Sequence, residues 1–104
     1  MLILAHRGAS KYAPENTLPA FRKALELGID GVEFDVQLTR DKVPVVIHSD
    51  HLAPWTTTYE FVYRTPLRAL ETIDVGSVFG AAFAGERIPT LEAVLALLAE
   101  RPPR

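Results

Sequence analysis

The sequence contains no cysteine, which excludes disulfide bridges, a thiolate nucleophile and a zinc–thiolate centre. It has no excess of basic residues either: the formal net charge is −2, so a nucleic-acid partner is not expected. No apolar run reaches the roughly 18 residues that a membrane-spanning helix needs. The apolar stretch at positions 2–5 is too short for a signal peptide. These absences predict a protein without a membrane span, and the cytoplasm is its expected location.

The composition is that of an ordinary globular domain. The chain has 104 residues, of which 48% are hydrophobic and 23% are charged. A chain of this length can bury one small hydrophobic core. The sequence shows no internal repeat and no low-complexity segment. Residues 1–104 are therefore predicted to form a single domain.

The N-terminal part of the sequence predicts a strand followed by a helix. The apolar run at 2–5 has the character of a buried strand, and Gly8 ends it. Either Asn16 or Thr17 can cap the helix that follows, and Gly28 supplies its C-terminal stop. The helix has an amphipathic stripe formed by Leu18, Phe21 and Leu25.

The next segment predicts two strands joined by a turn. Residues 31–37 alternate between apolar and polar side chains, as a strand with one buried face does. The apolar face consists of Val32, Phe34 and Val36, and the polar face of Glu33, Asp35 and Gln37. A polar turn at 39–42 leads into a second apolar strand at 43–47. His48 stands at the end of that strand.

The second half of the sequence predicts less regular structure. Residues 49–65 are expected to form a long loop with several aromatic residues, which are Trp55, Tyr59, Phe61 and Tyr63. Thr65 and Pro66 are a suitable cap and first residue for a short helix that runs to about Thr72. Residues 76–85 are small and glycine-rich, so we expect them to be irregular.

A final helix is predicted to begin at its N-cap Thr90 and to end before Pro102–Pro103. Its apolar residues are Leu91, Val94, Leu95, Leu97 and Leu98, and we expect them to pack in the core. The order strand–helix–strand, with polar residues where strands end, is typical of the βα units of a parallel sheet or barrel. The predicted fold class is therefore α/β.

Glu33 and Asp35 are the first candidates for a functional site. At positions i and i+2 of a strand, both side chains leave the same face, with Cα atoms roughly 6.5–7 Å apart. Two carboxylates that share one space repel each other unless a positive charge lies between them. Mg²⁺ or Ca²⁺ would supply that charge, because both prefer oxygen ligands. The alternative is a solvated face of an antiparallel sheet, which the helical patterns on both sides disfavour.

His6, Arg7 and His48 are further candidates. Arg7 follows His6 directly, and the guanidinium group is suited to binding phosphate through two hydrogen bonds. Gly8 would let the backbone approach a ligand closely. If His6 and His48 ended neighbouring parallel strands, they would share one site, where one takes up a proton and the other supplies one. Taken singly, each has a structural alternative, as a core histidine or as one member of a salt bridge.

These candidates lie in motifs that resemble a known family. The motifs are H-R-G with P-E-N-T (6–17), G-V-E-F-D-V-Q-L-T-R-D (31–41) and V-V-I-H (45–48). In this combination they resemble the glycerophosphodiester phosphodiesterase family. The resemblance covers residues 3–52, and P-T-L-E at 89–92 extends it towards the C-terminus.

The resemblance implies a TIM-type (β/α) barrel, of which only the first βα units fit into 104 residues. It also implies a divalent metal ion, Ca²⁺ or Mg²⁺. The implied reaction is hydrolysis of a small glycerophosphodiester to glycerol 3-phosphate and an alcohol, in lipid and glycerol metabolism. By position, His6 and His48 correspond to the acid/base pair and Arg7 to a phosphate contact. Glu33 and Asp35 correspond to metal ligands.

The sequence departs from the family pattern at three points. Ser49 stands where the family usually has Asp, and Pro54 stands where it usually has Arg. The family's third metal ligand, a Glu, would fall beyond Arg104, together with the strands that complete a barrel of about 250 residues. An open part of a barrel exposes strand edges. We therefore expect either self-association or a missing C-terminal portion.

Two alternative functions stay open. One is a lysophospholipase D-like phospholipid phosphodiesterase, in which the aromatic loop at 55–63 would contact an acyl chain. The other is a truncated, non-catalytic chain that keeps the motifs and acts as an interaction module. The sequence indicates neither the leaving alcohol nor the identity of the metal.

Overall fold

The computed structural model describes residues 2–57 and 60–100, and within these ranges it has four short strands and three α-helices. The strands are β1 (Leu4–His6), β2 (Gly31–Glu33), β3 (Val36–Leu38) and β4 (Pro44–Val46). The α-helices are α1 (Leu18–Glu26), α2 (Leu67–Leu70) and α3 (Leu91–Leu98). Two 3-10 helices occupy Val62–Arg64 and Ala81–Phe83. Tyr59 of the aromatic loop and the predicted helix end at Pro102–Pro103 lie outside the described residues.

Helix α1 forms as the sequence predicts. Thr17 is its N-cap, and the Thr17 hydroxyl accepts a hydrogen bond from the backbone N–H of Ala20 at 3.4 Å. Gly28 has a φ of +68° and so adopts the left-handed conformation that commonly follows a helix end. Phe21 and Ala24 are fully buried on the inner face of the helix. The helix is the crossover between β1 and β2, which are parallel.

The predicted single strand at 31–37 is wrong, because two strands occupy this segment. β2 pairs in parallel with β1, whereas β3 pairs with β4 as an antiparallel hairpin. Phe34 and Asp35 lie between β2 and β3, at the point where the chain changes partners. Val36 is therefore 45% exposed and does not share the buried face of Val32 and Phe34. Side-chain alternation alone does not reveal a change of strand partner.

Strand β1 is exposed, which corrects the prediction of a buried strand. Leu2, Ile3 and Leu4 are 77%, 57% and 63% exposed. In the described part of the chain, β2 is the only strand beside β1, so one edge of β1 has no neighbour. An apolar strand is buried only when other elements cover both of its faces. The apolar run thus indicated a strand correctly, but its burial depends on elements that these residues do not provide.

The turn between β3 and β4 also organises the start of α2. The Oδ1 atom of Asp41 accepts a hydrogen bond from the backbone N–H of Leu67 at 3.1 Å. Asp41 thereby takes the capping role that was predicted for Thr65. The Thr65 hydroxyl donates instead to the carbonyl of Phe61 at 2.8 Å. The helix has four residues and is shorter than predicted.

The glycine-rich segment 76–85 is irregular for most of its length, as predicted, and Asp74 holds it together. The Asp74 carboxylate accepts hydrogen bonds from the Ser77 hydroxyl at 2.5 Å and from the Ser77 N–H at 3.0 Å. It also accepts from the N–H groups of Gly76 and Gly85, at 2.8 and 3.0 Å. These donors, with the Ser77 hydroxyl first, lower the pKa of Asp74 far below its usual range.

Two hydrophobic clusters lie on opposite sides of the β3–β4 hairpin, because consecutive residues of a strand point to opposite sides. Val46 packs with Phe21 of α1 and with Val94 and Leu97 of α3. Val45 belongs to the second cluster, whose other buried members are Ile47, Leu52, Val62, Leu70, Val75 and Ile88. The hairpin therefore forms the centre of the fold and gives the residues at its ends a rigid support.

Helix α3 begins at the predicted N-cap. The Thr90 hydroxyl accepts a hydrogen bond from the backbone N–H of Ala93 at 3.1 Å. Val94 and Leu97 are buried as expected, whereas the core position expected for Leu95 is wrong, because this residue is 51% exposed. Across the residues that the structure describes, no helix has both the length and the apolar character needed to cross a membrane. The location of the protein in the cytoplasm stays a prediction.

Candidate active site

The parallel pairing of β1 and β2 sets His6 beside Glu33. The two residues are direct partners in the strand register, each at the last position of its strand. His6 Nε2 lies 3.0 Å from Glu33 Oε2, and both side chains are exposed to solvent. The pair is therefore open to a ligand that approaches from solvent at this end of the strands.

Asp35 is the residue at which three other side chains of the site meet, those of Asn16, Arg7 and His48. Its Oδ2 accepts a hydrogen bond from Asn16 Nδ2 at 3.1 Å and lies 3.4 Å from Nε of Arg7. Its Oδ1 lies 3.5 Å from Nδ1 of His48. Partial burial raises the pKa of Asp35, but the hydrogen bonds from Asn16 and His48 and the charges of His48 and Arg7 outweigh burial and lower the pKa. Asp35 is therefore a carboxylate at neutral pH.

Arg7 connects the carboxylates to His48. Its Nη1 donates to both carboxylate oxygens of Glu15, at 3.2 and 3.3 Å, and its Nη2 lies 3.2 Å from Nε2 of His48. The backbone N–H of Arg7 donates to the carbonyl of Glu33 at 2.6 Å, and its φ is +56°. The guanidinium group is thus held by neighbouring side chains, which reduces the freedom that it would lose on binding a ligand.

At Gly8 the backbone of the loop after β1 lies very close to helix α1. Gly8 has a φ of +80°, and a Cβ atom there would lie 2.8 Å from Cβ of Ala20 and 2.9 Å from its carbonyl carbon. The neighbouring Ala9 N–H donates to the Ala20 carbonyl at 2.9 Å. The loop after β1 therefore crosses α1 too closely for any side chain at this position. The approach of this backbone to a ligand stays a prediction.

His48 reaches the site through an antiparallel hairpin, so the condition considered from the sequence, that both histidines end neighbouring parallel strands, is not met. It follows β4, which pairs with β3 in the antiparallel direction. Gln37 of β3 holds the segment after β4 through three hydrogen bonds. Its Nε2 donates to the carbonyls of Ile47, His48 and Ser49 at 3.2, 3.2 and 2.9 Å. The hairpin and Gln37 together bring the His48 ring to Asp35.

Three residues of this site were not predicted from the sequence, namely Glu15, Asn16 and Gln37. Asn16 was considered only as a helix cap, and Thr17 has that role. Gln37 was assigned only to the polar face of a strand. A signal for Asn16 existed, because Asn is among the few residues that tolerate a left-handed backbone, and its φ is +58°. Such a residue between a strand end and a helix cap indicates a chain that turns back on itself.

The aromatic residues after His48 serve two different purposes. Trp55 lines a small cavity together with Glu15, Asn16 and His48. Phe61 and Tyr63 instead contact each other, with ring centroids 5.4 Å apart. The sequence left open whether these aromatics line a pocket or anchor the loop. Trp55 lies at the site, and the other two pack within the loop.

An open cleft of about 390 Å³ adjoins the site. Its walls are formed by Ser10, Pro14, Glu15, Trp55, Val75, Val78 and Phe79. Glu15, Trp55 and Val75 also line the small cavity beside His48, so the two spaces share a wall. Val78 and Phe79 are large apolar residues that are exposed on this surface. A ligand bound at the histidines can therefore extend over an apolar surface.

Comparison with known proteins decides the family of this chain. The profile of the glycerophosphoryl diester phosphodiesterase family matches residues 6–102. The chain belongs to this family. A glycerophosphodiester phosphodiesterase of Caldanaerobacter subterraneus subsp. tengcongensis is 49% identical over 100 residues, which cover 96% of this chain and 41% of the relative. A glycerophosphodiester phosphodiesterase of Bacillus altitudinis is 40% identical over 99 residues, which cover 95% of this chain and 40% of the relative.

Two solved structures are similar to almost the whole chain. One is a phosphodiesterase of Oleispira antarctica in complex with the product sn-glycerol-3-phosphate, which is 40% identical and superposes with a TM-score of 0.91. The matched region is 97% of this chain and 41% of the Oleispira chain. The other is a glycerophosphodiester phosphodiesterase of Agrobacterium tumefaciens, which is 38% identical with a TM-score of 0.90. The matched region is 97% of this chain and 44% of the Agrobacterium chain. The predicted TIM-type barrel is confirmed. The chain holds its first βα units and spans about two fifths of the length of these family relatives.

The residues at the site fit part of the divalent metal site that the family implies. Glu33 and Asp35 offer carboxylate oxygens on either side of Phe34, and oxygen is the donor that Ca²⁺ and Mg²⁺ prefer. Oδ1 of Asn16 is a further oxygen beside Asp35, buried and without a hydrogen-bond partner. In the described ranges 2–57 and 60–100, no group of three or more His, Cys, Asp or Glu residues could hold a metal ion. The described residues alone therefore do not complete a cation site.

Proposed function

We propose that residues 1–104 are the N-terminal part of a catalytic domain that hydrolyses a glycerophosphodiester to glycerol 3-phosphate and an alcohol. One observation carries the proposal: His6 and His48 each lie beside a carboxylate, and Arg7 lies 3.2 Å from His48 and 3.4 Å from Asp35. The relative from Oleispira antarctica, in complex with sn-glycerol-3-phosphate, supports the same product class for this chain. The protein would then be a phosphoric diester hydrolase.

The two histidines account for both proton transfers of this reaction. A water molecule attacks phosphorus, and the bond between phosphorus and the oxygen of the leaving alcohol breaks. One histidine takes up a proton from the attacking water, and the other supplies a proton to the leaving oxygen. Glu33 lies 3.0 Å from His6 and Asp35 lies 3.5 Å from His48, so each carboxylate orients one ring.

Arg7 is proposed as the phosphate contact. Its planar guanidinium group can donate paired hydrogen bonds to phosphate oxygens and offset the charge that develops on them. Glu15 and Asp35 hold the group from two directions, at 3.2 and 3.4 Å. The ammonium group of a lysine would supply the charge without the paired geometry.

Glu33 and Asp35 are proposed as two ligands of a divalent metal ion, Ca²⁺ or Mg²⁺. When bound, the ion would offset the negative charge of the phosphoryl oxygens. The pKa of Asp35 is lowered, so this residue is available as a negatively charged ligand at neutral pH. Glu33 offers the same oxygen chemistry from the end of β2, where its carboxylate already binds His6.

The test measures glycerol 3-phosphate release from glycerophosphocholine by the full-length protein, with Ca²⁺ or Mg²⁺ present and after chelation. We expect turnover only with the divalent ion. His6→Ala and His48→Ala should each lower kcat by about 10²–10⁴-fold, the usual contribution of a general acid or base. His51→Ala, which removes an imidazole from the loop after His48, is the control and should retain turnover. Undiminished turnover by the first two variants would contradict the proposal.

A second candidate function is a lysophospholipase D-like activity, which the apolar cleft beside the site favours. An acyl chain attached to the glycerol could lie along Trp55, Val78 and Phe79. Rates on lysophosphatidylcholine and on glycerophosphocholine distinguish the two activities. Trp55→Ala should lower the rate on the lysophospholipid more than the rate on the soluble diester, whereas Tyr63→Ala should leave their ratio unchanged. No release of product from the lysophospholipid would exclude this candidate.

A third candidate is an interaction module without catalysis, which the exposed β1 strand favours. Leu2, Ile3 and Leu4 would be covered either by another copy of the chain or by a further portion of the same protein. Sedimentation of the 104-residue chain, with calorimetric titration by Ca²⁺ or Mg²⁺, tests this candidate. Self-association without ion binding supports it. A stable monomer that binds the ion contradicts it.

A further inference from the structure

Asn16 is buried at the centre of the site, with 4% of its surface exposed. Its Nδ2 donates to Oδ2 of Asp35 at 3.1 Å. Its backbone N–H donates to the carbonyl of Arg7 at 2.9 Å. Asn16 therefore contacts two of the proposed site residues at once, through its side chain and through its backbone.

The backbone of Asn16 has an uncommon conformation that it shares with Arg7. Their φ angles are +58° and +56°, in the left-handed region that residues other than glycine rarely adopt. Residues in such conformations are often concentrated at functional sites, where surrounding contacts hold them in place. The hydrogen bond between Asn16 and Arg7 joins these two unusual residues directly.

The orientation of the Asn16 amide follows from its partner. The amide nitrogen is directed at Asp35, because Nδ2 lies 3.1 Å from the carboxylate oxygen Oδ2 and donates to it. Oδ1 of Asn16 then remains buried without a hydrogen-bond partner. A buried polar atom without a partner opposes folding. The side chain is thus not explained by its contribution to stability.

The start of helix α1 does not explain Asn16 either. Thr17 caps the helix through the N–H of Ala20, and the Thr17 hydroxyl donates to the Pro14 carbonyl at 2.6 Å. The Asn16 side chain has no part in these bonds. Its described hydrogen bond is directed at Asp35.

We infer that Asn16 is a positioning residue, which holds the Asp35 carboxylate with Oδ1 towards His48 and Oδ2 towards Arg7. This inference rests on the proposed function. If Nδ2 of Asn16 were removed, the described contact that remains for Oδ2 of Asp35 is the ion pair with Arg7 Nε at 3.4 Å. The carboxylate would then turn towards the guanidinium group, and its 3.5 Å contact with His48 would be lost. Residues that support functional ligands in this way commonly contribute about 10–100-fold to affinity or activity.

Two substitutions separate the side-chain role from the backbone role. Asn16→Gly removes the amide but accepts the positive φ without strain. Asn16→Asp keeps the size of the side chain and replaces the donor by a second carboxylate next to Asp35. Both are compared with Thr17→Ser, which retains a capping hydroxyl one residue further along the chain. The unmodified protein and the three variants are tested at full length, at a temperature where thermal unfolding shows them to be folded.

We expect Asn16→Gly to lower kcat on glycerophosphocholine by about 10–100-fold, with a much smaller change in KM. Asn16→Asp should lower kcat further, because the two carboxylates repel each other. Thr17→Ser should change neither parameter. A purely structural role predicts instead that Asn16→Gly lowers Tm while the folded protein keeps its kcat. That result, or unchanged kcat in both Asn16 variants, would overturn the inference.

Calorimetric titration with Mg²⁺ provides a second measurement that does not depend on turnover. Asn16→Gly should bind Mg²⁺ about 10–100-fold more weakly than the unmodified protein, since Asp35 is no longer held in one orientation. If the unmodified protein binds Mg²⁺ but hydrolyses no diester, the proposed function fails and the Mg²⁺ affinity still decides the role of Asn16. If the unmodified protein hydrolyses the diester and the variants match it, only the Asn16 inference fails. An unmodified protein with neither activity nor Mg²⁺ binding overturns both.

Discussion

Nδ1 of His48 lies 3.5 Å from Oδ1 of Asp35, although one residue follows β4 and the other precedes β3. The hairpin register produces this contact. Val36 is paired with Val46, and just beyond that pair the Ile47 N–H donates to the Asp35 carbonyl at 2.9 Å. His48 is the next residue, so its ring lies beside the Asp35 side chain. The position of this histidine therefore depends on the register of β3 and β4.

Replacing the two carboxylates by amides should weaken the binding of a divalent ion. Glu33→Gln and Asp35→Asn preserve shape and remove one negative charge each. We expect each to reduce the affinity for Mg²⁺ by at least about tenfold, because residues that merely support ligands already contribute that much. Calorimetric titration of the full-length protein measures the change. Asp50→Asn, in the exposed loop after His48, is the control. Unchanged affinity in both amide variants would refute the metal-ligand assignment.

Gly8→Ala should destabilise the protein more than Gly28→Ala. Both glycines have positive φ, which costs an alanine about 1–2 kcal/mol. At Gly8 the new Cβ would also lie 2.8 Å from Cβ of Ala20, whereas nothing lies within 4 Å of it at Gly28. The overlap should add about 1–3 kcal/mol to the loss at Gly8. Denaturant unfolding measures both values, and equal losses would contradict the close packing of this loop on α1.

Thr90→Ala should lower the free energy of unfolding by about 1 kcal/mol, through loss of the N-cap of α3. The Thr90 hydroxyl accepts the N–H of Ala93 at 3.1 Å, and alanine leaves that donor without its partner. Thr90→Ser keeps the hydroxyl and is the control that should retain most of the stability. Thermal and urea unfolding of the three proteins measure the effect. If serine and alanine destabilise equally, the hydroxyl is not the stabilising group.

Asp74→Asn should lower Tm at neutral pH, and the difference should shrink in acid. The pKa of Asp74 is lowered in the folded chain from an unfolded-state value of about 4. A lowered folded-state pKa contributes stability above the unfolded-state pKa, and that contribution is lost as pH falls towards the folded-state value. The Tm of the unmodified protein should therefore approach that of Asp74→Asn below about pH 4. Glu71→Gln is the control, and a pH-independent difference for Asp74→Asn would contradict this account.

The regular elements that depend on local sequence were predictable. Helix α3 begins at the threonine expected to cap it, and α1 begins at Thr17, one of its two candidate caps. Caps are predictable because they need only a side-chain oxygen and an N–H three residues away. The division of 31–37 into β2 and β3 was not predictable, since side-chain alternation is the same in one strand or two. The sequence also did not predict that Asp41, rather than Thr65, accepts a hydrogen bond at the start of α2. Asp41 belongs to a turn that is distant from this helix in sequence.

For the site, too, some features could be predicted from the sequence and others could not. The motifs were sufficient to select His6, Arg7, Glu33, Asp35 and His48. In the structure His6 contacts Glu33, and Arg7, Asp35 and His48 contact one another. Their chemical roles stay predictions. Asn16 was missed because its side chain acts on Asp35 across the fold, which no local pattern records.

By itself, the sequence determined which chemical groups are available: two imidazoles, one guanidinium and two carboxylates, at spacings that identify the family. It also determined the helix caps, because these depend on neighbours along the chain. Only the tertiary structure decided which groups meet. The β1–β2 register joins His6 to Glu33, and the β3–β4 hairpin joins His48 to Asp35. Such contacts depend on strand pairing and on packing against α1 and α3, and therefore on residues far apart in sequence.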